Sequence, residues 1–316
     1  MAEIELDLFL KVRKFSRLAV GLAILASFIF AQIIDSSGIT WQVVIAVIAL
    51  AIGIPHGALD HLVTLPKSSP IKMAGFIAIY VAVAVLAVLA LLTWNVAGFI
   101  VVVIMSAVHF GIGDAAFISE IDRRSAEPKP FPRYLYALAA GALPVVIPLV
   151  SDKSAAALER VNPALLNWHH GLNNDFLLWT MLLAAVALLR LIQKRRDAEA
   201  IDLVLLYLLA NTAPPLVAFA VYFGCWHAMR HTARLTLVLP RSQKAFAQGN
   251  TWKAFLGAIW PGVPALIGTF VFAALIIAFR GGSVSDQFLW VTLVIVWALT
   301  VPHMAVTARL DRKALS

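Results

Sequence analysis

Ten long apolar runs divide this chain, and they restrict its fold more than any other feature of the sequence. Each has about 16 to 26 residues, and a helix of about 20 apolar residues is long enough to cross a bilayer. The runs cover residues 16–34, 41–60, 71–93, 96–118, 133–150, 175–193, 199–214, 216–239, 254–279 and 287–307. We therefore predict an all-α fold, a polytopic transmembrane helical bundle of about ten spans (eight to ten), with residues 1–316 forming one integral-membrane domain.

The composition agrees with a membrane location. Hydrophobic residues make up 61% of the chain and charged residues 13%, whereas about a quarter of an average soluble domain is charged. The formal net charge of +8 would suggest nucleic acid in a soluble protein. Here the basic residues lie at the ends of apolar runs, so we expect the lipid bilayer as a partner and no nucleic acid. Cys225, the one cysteine, excludes an intramolecular disulfide and a cysteine-based zinc site.

The distribution of basic residues predicts the orientation of the bundle. With the N-terminus in the cytoplasm and ten crossings, 20 of the 25 basic residues fall on the cytoplasmic side. Lys153, Arg160 and Arg280 fall on the opposite side, and Arg230 and Arg234 lie within the eighth run. Because cytoplasmic loops carry an excess of Lys and Arg, we expect a protein of the cell (inner) membrane with both termini cytoplasmic.

Two histidines in the eighth run indicate a metal site. His227 and His231 are four residues apart, and that spacing puts both imidazoles on one face of a helix. Each ring has two nitrogens that need partners, and lipid supplies none. Two neutral imidazoles held in this way are suited to bind one metal ion.

Other histidines are predicted to lie at a similar depth. In the ten-span topology, the second, fourth, eighth and tenth helices run in the same direction and carry His56, His109, the pair in the eighth run and His303 in their central-to-inner parts. His56 and His109 are therefore candidate ligands. For His303, ligation and a structural role are equally good interpretations. His61 is interpreted as an interfacial residue.

Two aspartates and two arginines accompany these histidines. Asp60 follows His56 by four residues, and Asp114 follows His109 by five. A carboxylate there can accept the second N–H of a ligating imidazole and so fix its tautomer. Because intramembrane charges need partners, we also expect Asp60 and Asp114 to pair with Arg230 and Arg234.

Four imidazoles without a thiolate suit iron(II), copper or zinc. A dry, lipid-embedded site suits oxygen chemistry on an apolar substrate better than hydrolysis, which needs water. Three other functions remain open: a membrane iron enzyme of the desaturase or hydroxylase type, a transporter that uses intramembrane His, Asp and Arg, and a non-catalytic carotenoid- or retinal-binding protein.

The motifs also resemble a known family, the Brp/Blh family of bacterial and archaeal membrane β-carotene 15,15'-dioxygenases, which form retinal. The resemblance covers about residues 50–307 and is carried by Gly-Ile-Pro-His56-Gly-Ala-Leu-Asp60, His109-Phe-Gly-x-x-Asp114, Trp226-His227-x-x-Arg230-His231 and Pro302-His303-Met304. It is the combination of motifs that is specific.

This resemblance implies an enzyme that uses Fe(2+) and O2 to split the central 15,15' double bond of β-carotene into two molecules of all-trans-retinal. It implies that the iron ligands, which are also the catalytic residues, are His56, His109, His227 and His231. Asp60, Asp114 and Arg230 would hold these ligands in place without binding the metal. A retinal-binding rhodopsin is the implied acceptor of the product. No ligand role is implied for His61.

Overall fold

The computed structural model describes residues 2–33, 39–65, 69–280 and 284–316, and these residues contain helices and no β-strand. The α-helices are α1 (Ala2–Ile33), α2 (Ile39–Gly57), α3 (Asp60–Thr64), α4 (Pro70–Thr93), α5 (Asn95–Asp122), α6 (Arg133–Val150), α7 (Ser154–Val161), α8 (Asn173–Gln193), α9 (Asp197–Thr212), α10 (Pro215–Ala220), α11 (Met229–Leu235), α12 (Pro240–Ala247), α13 (Thr251–Gly257), α14 (Val263–Arg280) and α15 (Val284–Leu315). A π-helical segment, Val221–Ala228, joins α10 to α11, and short 3₁₀ turns cover Pro163–Leu165 and Trp260–Gly262. The predicted all-α fold is confirmed.

Seven helical stretches in the described part of the chain are long and apolar enough to cross a membrane. They are Ile39–Thr64, Pro70–Thr93, Asn95–Asp122, Arg133–Val150, Asn173–Gln193, Thr251–Phe279 and Gln287–Leu315. Each corresponds to one of the ten predicted runs. The structure therefore supports a membrane protein built from several spanning helices, whereas ten crossings remain a prediction.

The three other predicted runs are helical but irregular or polar. The run 16–34 belongs to α1, which begins at Ala2 and carries Lys and Arg in its first half; residue 34 lies outside the described residues. The run 199–214 corresponds to α9, which has only 16 residues. The run 216–239 is divided into α10, the π-helical segment and α11, so its histidines do not lie on one regular α-helix. Residue type alone did not indicate this division.

Close packing of α5 against α6 depends on two glycines. A side chain at Gly111 would collide with the carbonyl oxygen of Ala137, and one at Gly141 would collide with that of Ala107. Because each glycine lets the other helix approach its backbone, the two helices pack at short distance, as small residues allow in membrane bundles. This contact fixes the position of α5, which carries His109.

Buried ion pairs connect α1 to α9. The carboxylate of Asp202, which is fully buried, lies 2.8 Å from the guanidinium of Arg13 and 2.6 Å from that of Arg17. Arg13 also pairs with Glu199 at 2.7 Å. The sequence analysis counted both arginines among the 20 cytoplasmic basic residues. The structure shows that Arg13 is buried and Arg17 partly buried, each in an ion pair with α9.

Polar contacts bring both termini and two connecting segments to one end of the bundle. Arg124 pairs with Glu5 at 2.9 Å, and Arg123 donates to the backbone carbonyl of Lys313. In the same region, Lys129 donates to the carbonyl of Arg195 at 2.9 Å. These segments are four of those assigned to the cytoplasm. Lys67, counted there as well, lies outside the described residues.

We predict that reporter or cysteine-labelling probes at Ser125 and Ser154 report opposite sides of the membrane, with Ser125 in the cytoplasm. The two positions flank α6, a membrane-spanning candidate, and the excess of Lys and Arg favours a cytoplasmic Ser125. Labelling of both positions from the same side would contradict this topology.

Candidate metal centre

Five buried histidines come from five elements of the fold. His56 lies in the last turn of α2, just before the break that leads to α3, and His109 lies in the middle of α5. His227 is the next-to-last residue of the π-helical segment, and His231 lies in the first turn of α11. His303 follows Pro302 inside α15. All five side chains are buried.

The five imidazoles surround one small region. The ring of His56 has its centroid 5.3 Å from that of His227, 5.2 Å from that of His231 and 5.5 Å from that of His303. The His109 ring lies 5.1 Å from the rings of both His227 and His303. Imidazoles that share one ion at about 2.1 Å per nitrogen have ring centroids roughly 5 Å apart. The ring positions therefore fit one shared metal ion.

Several ring nitrogens in this cluster lack protein partners. Nε2 of His227, both nitrogens of His231 and Nε2 of His303 are buried without a hydrogen-bond partner. A buried polar atom left unpaired costs about 1–3 kcal/mol, so a metal ion would relieve a sizeable penalty. As the side chains stand, no three His, Cys, Asp or Glu groups in the described ranges are arranged to hold a metal. The ring centroids have the spacing of a shared site, and binding would require the rings to turn until their nitrogens converge on one ion.

Two of the rings are oriented by the protein. Nδ1 of His56 contacts the backbone carbonyl of Gly53. Nδ1 of His303 lies 3.0 Å and 2.9 Å from the two carboxylate oxygens of Asp60, and the Tyr80 hydroxyl donates to the same carboxylate at 2.9 Å. With Nδ1 engaged in this way, Nε2 of each ring is the nitrogen left to bind a metal. Metal-ligating histidines have the same kind of second partner on their other ring nitrogen.

Asp114 and Arg230 pair with each other beneath the cluster. The Arg230 guanidinium lies 2.5 Å from Asp114 and 3.4 Å from Asp202, and its carbon lies 3.6 Å from the centre of the Trp226 ring. Tyr136 donates to Asp114 at 2.6 Å. The predicted pairing of Asp114 with Arg230 is thus present. Neither of these partners of Asp114 in the described part of the chain is a histidine. The aspartate therefore holds α11 in place through Arg230 and does not orient an imidazole ring.

The expected partner of Arg234 was wrong. Arg234 lies 2.7 Å from Asp311 of α15, because Asp60 is already bound to His303 and Tyr80. Asp60 therefore fulfils the other expectation made for it, contact with a neighbouring imidazole. The imidazole that it contacts is that of His303. From the sequence alone, metal ligation and a structural role were equally good interpretations of this histidine.

A cavity of about 330 Å³ adjoins the cluster. His56, His109, His227 and His303 line its inner part, and Ile77, Val81 and Ala265 line its outer part. Ile77 and Val81 are 45% and 51% exposed, and Ala265 is exposed as well. Since these residues belong to α4 and α14, both within spanning candidates, the cavity opens toward the lipid. Its lining is mostly apolar, which suits an apolar ligand.

The remaining histidines lie apart from the cluster. His61 lies in α3 at the wall of the cavity and is partly exposed. His169 and His170 lie in a turn between α7 and α8, where the backbone N–H of Gly171 donates to Nδ1 of His169.

The sequence analysis did not identify Tyr80, Asp202 or Asp311 as residues that support the cluster. For the two aspartates, the one available signal was the general need of buried charges for partners.

Comparison with known proteins identifies relatives of this chain. Residues 47–311 match the model of the family described as Beta-carotene 15,15'-dioxygenase. A protein named Beta-carotene 15,15'-dioxygenase, from an uncultured marine bacterium (66A03), is 29% identical over 188 residues. That alignment covers 57% of this chain and 64% of the relative, slightly less than two thirds of its length. No solved structure matches.

Substitution of the two aspartates should have different effects. We expect Asp60→Asn to weaken metal binding ~10–100-fold with little change in stability, because the ring of His303 loses its charged acceptor. We expect Asp114→Asn to lower the free energy of unfolding by about 3–5 kcal/mol, because Arg230 loses its closest counter-charge in a buried site. Metal titration and thermal unfolding of both purified variants measure the two effects.

Two results would contradict this division of roles. Asp60→Asn could abolish metal binding as completely as His56→Ala in a folded protein, which would make Asp60 itself a ligand. Alternatively, Asp114→Asn could unfold like the unsubstituted protein, in which case its pairing with Arg230 contributes no stability.

Proposed function

The chain belongs to the Beta-carotene 15,15'-dioxygenase family, and we propose that it uses Fe(2+) and O2 to cleave the central 15,15' double bond of β-carotene into two molecules of all-trans-retinal. The main support is the cluster of five buried imidazoles beside a cavity that opens toward lipid. The family match also includes all five histidines, since it runs from residue 47 to residue 311. The name of the aligned relative agrees with the same activity.

Five residues would hold the iron. They are the four ligands implied by the sequence motifs, His56, His109, His227 and His231, together with His303. The unpartnered Nε2 of His303 and its ring distances of 5.1–5.5 Å to His109, His231 and His56 support its inclusion. Imidazole is a good ligand for iron. When bound, iron(II) would supply the redox chemistry with O2 that no side chain provides.

Other groups of the protein would keep the imidazole rings oriented for iron binding. The Gly53 carbonyl and the Asp60 carboxylate each engage one Nδ1, which leaves Nε2 of His56 and His303 as the nitrogens that would bind the iron. Asp114 and Arg230 act at a longer range, because Arg230 precedes His231 in α11 and its ion pair fixes the helix that carries that ring. Burial of all these groups keeps bulk water from the reacting double bond.

An apolar substrate would enter this cavity directly from the bilayer. The exposed side chains of Ile77 and Val81 at its mouth belong to α4, a spanning candidate of which only 11% is buried. Phe76, Phe110 and Phe223 also line the cavity and offer aromatic faces to a polyene. We place the enzyme in the cell inner membrane, where a retinal-binding rhodopsin would accept the product.

Expression in a bacterium that accumulates β-carotene tests the proposal. We expect loss of the orange colour and the appearance of all-trans-retinal in extracts, measured by chromatography. His227→Ala and His303→Ala should each abolish retinal formation, because each removes a ring of the cluster. The matched control is His169→Ala, the same change in a histidine outside the cluster, which should leave retinal formation intact.

Membrane-inserted protein that produces no retinal and leaves the colour unchanged would argue against the enzyme and for a transporter or a carotenoid-binding protein. Normal retinal yield from both His227→Ala and His303→Ala would show that the reaction takes place elsewhere in the protein.

A further inference from the structure

A second cavity lies behind the histidine cluster. It has a volume of about 110 Å³ and is formed by residues of α2, α5, α6, α7, α10 and α15 together with Tyr222 of the π-helical segment. None of the residues that line it is exposed. We call this space the inner chamber.

Phe110 separates the inner chamber from the cavity that opens toward lipid. Among the described residues, it is the one side chain that lines both spaces. Its ring lies 4.4 Å from the ring of His227 and 5.4 Å from that of Tyr222, and it directly follows His109 in the chain. Movement of this single aromatic ring would therefore connect the inner chamber to the histidine cluster.

The volume of the inner chamber restricts its occupant to a very small molecule. An engineered cavity of about 150 Å³ with an apolar lining stays dry and binds benzene or xenon. The inner chamber is smaller than that, so half of a forty-carbon polyene cannot enter it without extensive repacking. Water needs two to four polar partners in such a space. The lining is almost entirely apolar, and its polar side chains are the hydroxyl-bearing Ser106, Ser154 and Tyr222, so an apolar molecule fits the space better.

We propose that the inner chamber binds dioxygen and supplies it to the histidine cluster past Phe110, an inference that rests on the proposed oxygenase function. O2 is apolar, diatomic and one of the two substrates of that reaction. In this arrangement the hydrocarbon substrate approaches from the lipid side through the larger cavity, and O2 approaches from the opposite side. Neither substrate then blocks the entry of the other.

Cavity-filling substitutions on α5 provide the functional test. Val103 lines the inner chamber and is 6% exposed, so Val103→Phe places a ring in the space. Val101 lies two residues away on the same helix and is 54% exposed; Val101→Phe is the matched control. Ser106→Leu fills the same chamber from the next turn of α5 and serves if Val103→Phe does not fold. Retinal formation is measured per bound iron while the concentrations of O2 and β-carotene are varied separately.

We expect Val103→Phe to raise KM for O2 several-fold while KM for β-carotene stays unchanged, and we expect Val101→Phe to behave like the unsubstituted protein. Xenon binding provides a test that does not depend on activity. Crystals of the full-length protein under xenon pressure should show one xenon atom in the inner chamber, and it should be absent in Val103→Phe.

Three results would overturn the inference. An unchanged KM for O2 in folded Val103→Phe and Ser106→Leu would show that O2 does not use the inner chamber, as would the absence of xenon from the unsubstituted protein. Loss of β-carotene cleavage with retained cleavage of a shortened apocarotenal would show that the inner chamber holds one end of the carotenoid. If the unsubstituted protein forms no retinal at any O2 concentration, the proposed function fails, whereas xenon binding still reports on the chamber alone.

Discussion

The cost of burying imidazole nitrogens underlies the architecture of this protein. Each neutral ring has one nitrogen that donates and one that accepts, and the bundle interior offers few partners for either. His56 and His303 each engage a protein acceptor through Nδ1, and this contact leaves the other nitrogen of each ring for a different partner. His231 has no protein partner for either nitrogen. A cluster of this kind is stable only if something else binds the free nitrogens, and one metal ion satisfies several of them together.

The scaffold that holds the rings in place is ionic as well as apolar. Asp202 of α9 connects Arg13 and Arg17 of α1 to Arg230 of α11, and Arg234 of α11 pairs with Asp311 of α15. Ion pairs buried in this way lose much of their benefit to desolvation. They are nevertheless specific, because removal of one partner leaves an uncompensated charge. The short helix that carries His231 is therefore fixed in register between α1, α5, α9 and α15.

The sequence predicted the parts of this site that depend on periodicity and chain direction. Apolar runs predicted the helices, and the parallel direction of four of them predicted that His56, His109, His227 and His231 lie near one another, as their ring distances now show. Their role as ligands remains a prediction. The pairing of Asp114 with Arg230 followed from the general need of buried charges for partners.

Other features depend on tertiary contacts that no local pattern encodes. Asp202 lies at the polar end of a short apolar run, 189 residues from Arg13. No local sequence pattern therefore indicates that the two residues form an ion pair. The π-helical segment changes the rotation of His227 relative to His231, and such segments are common at functional sites without a signature in residue type. The contact of Asp60 with His303, and not with Arg234, results from the packing of α3 against α15. The two cavities on either side of Phe110 arise from side chains of many helices.

X-ray absorption spectroscopy at the iron edge of the purified, iron-loaded protein tests the proposed sharing of one iron ion by five imidazoles. We expect a shell of nitrogen scatterers with the multiple scattering typical of imidazole, no sulfur, and no second iron nearby. Loss of one imidazole contribution in His303→Ala would show that the fifth ring belongs to this shell. A spectrum dominated by oxygen ligands, or one with an iron–iron vector, would contradict the five-imidazole site.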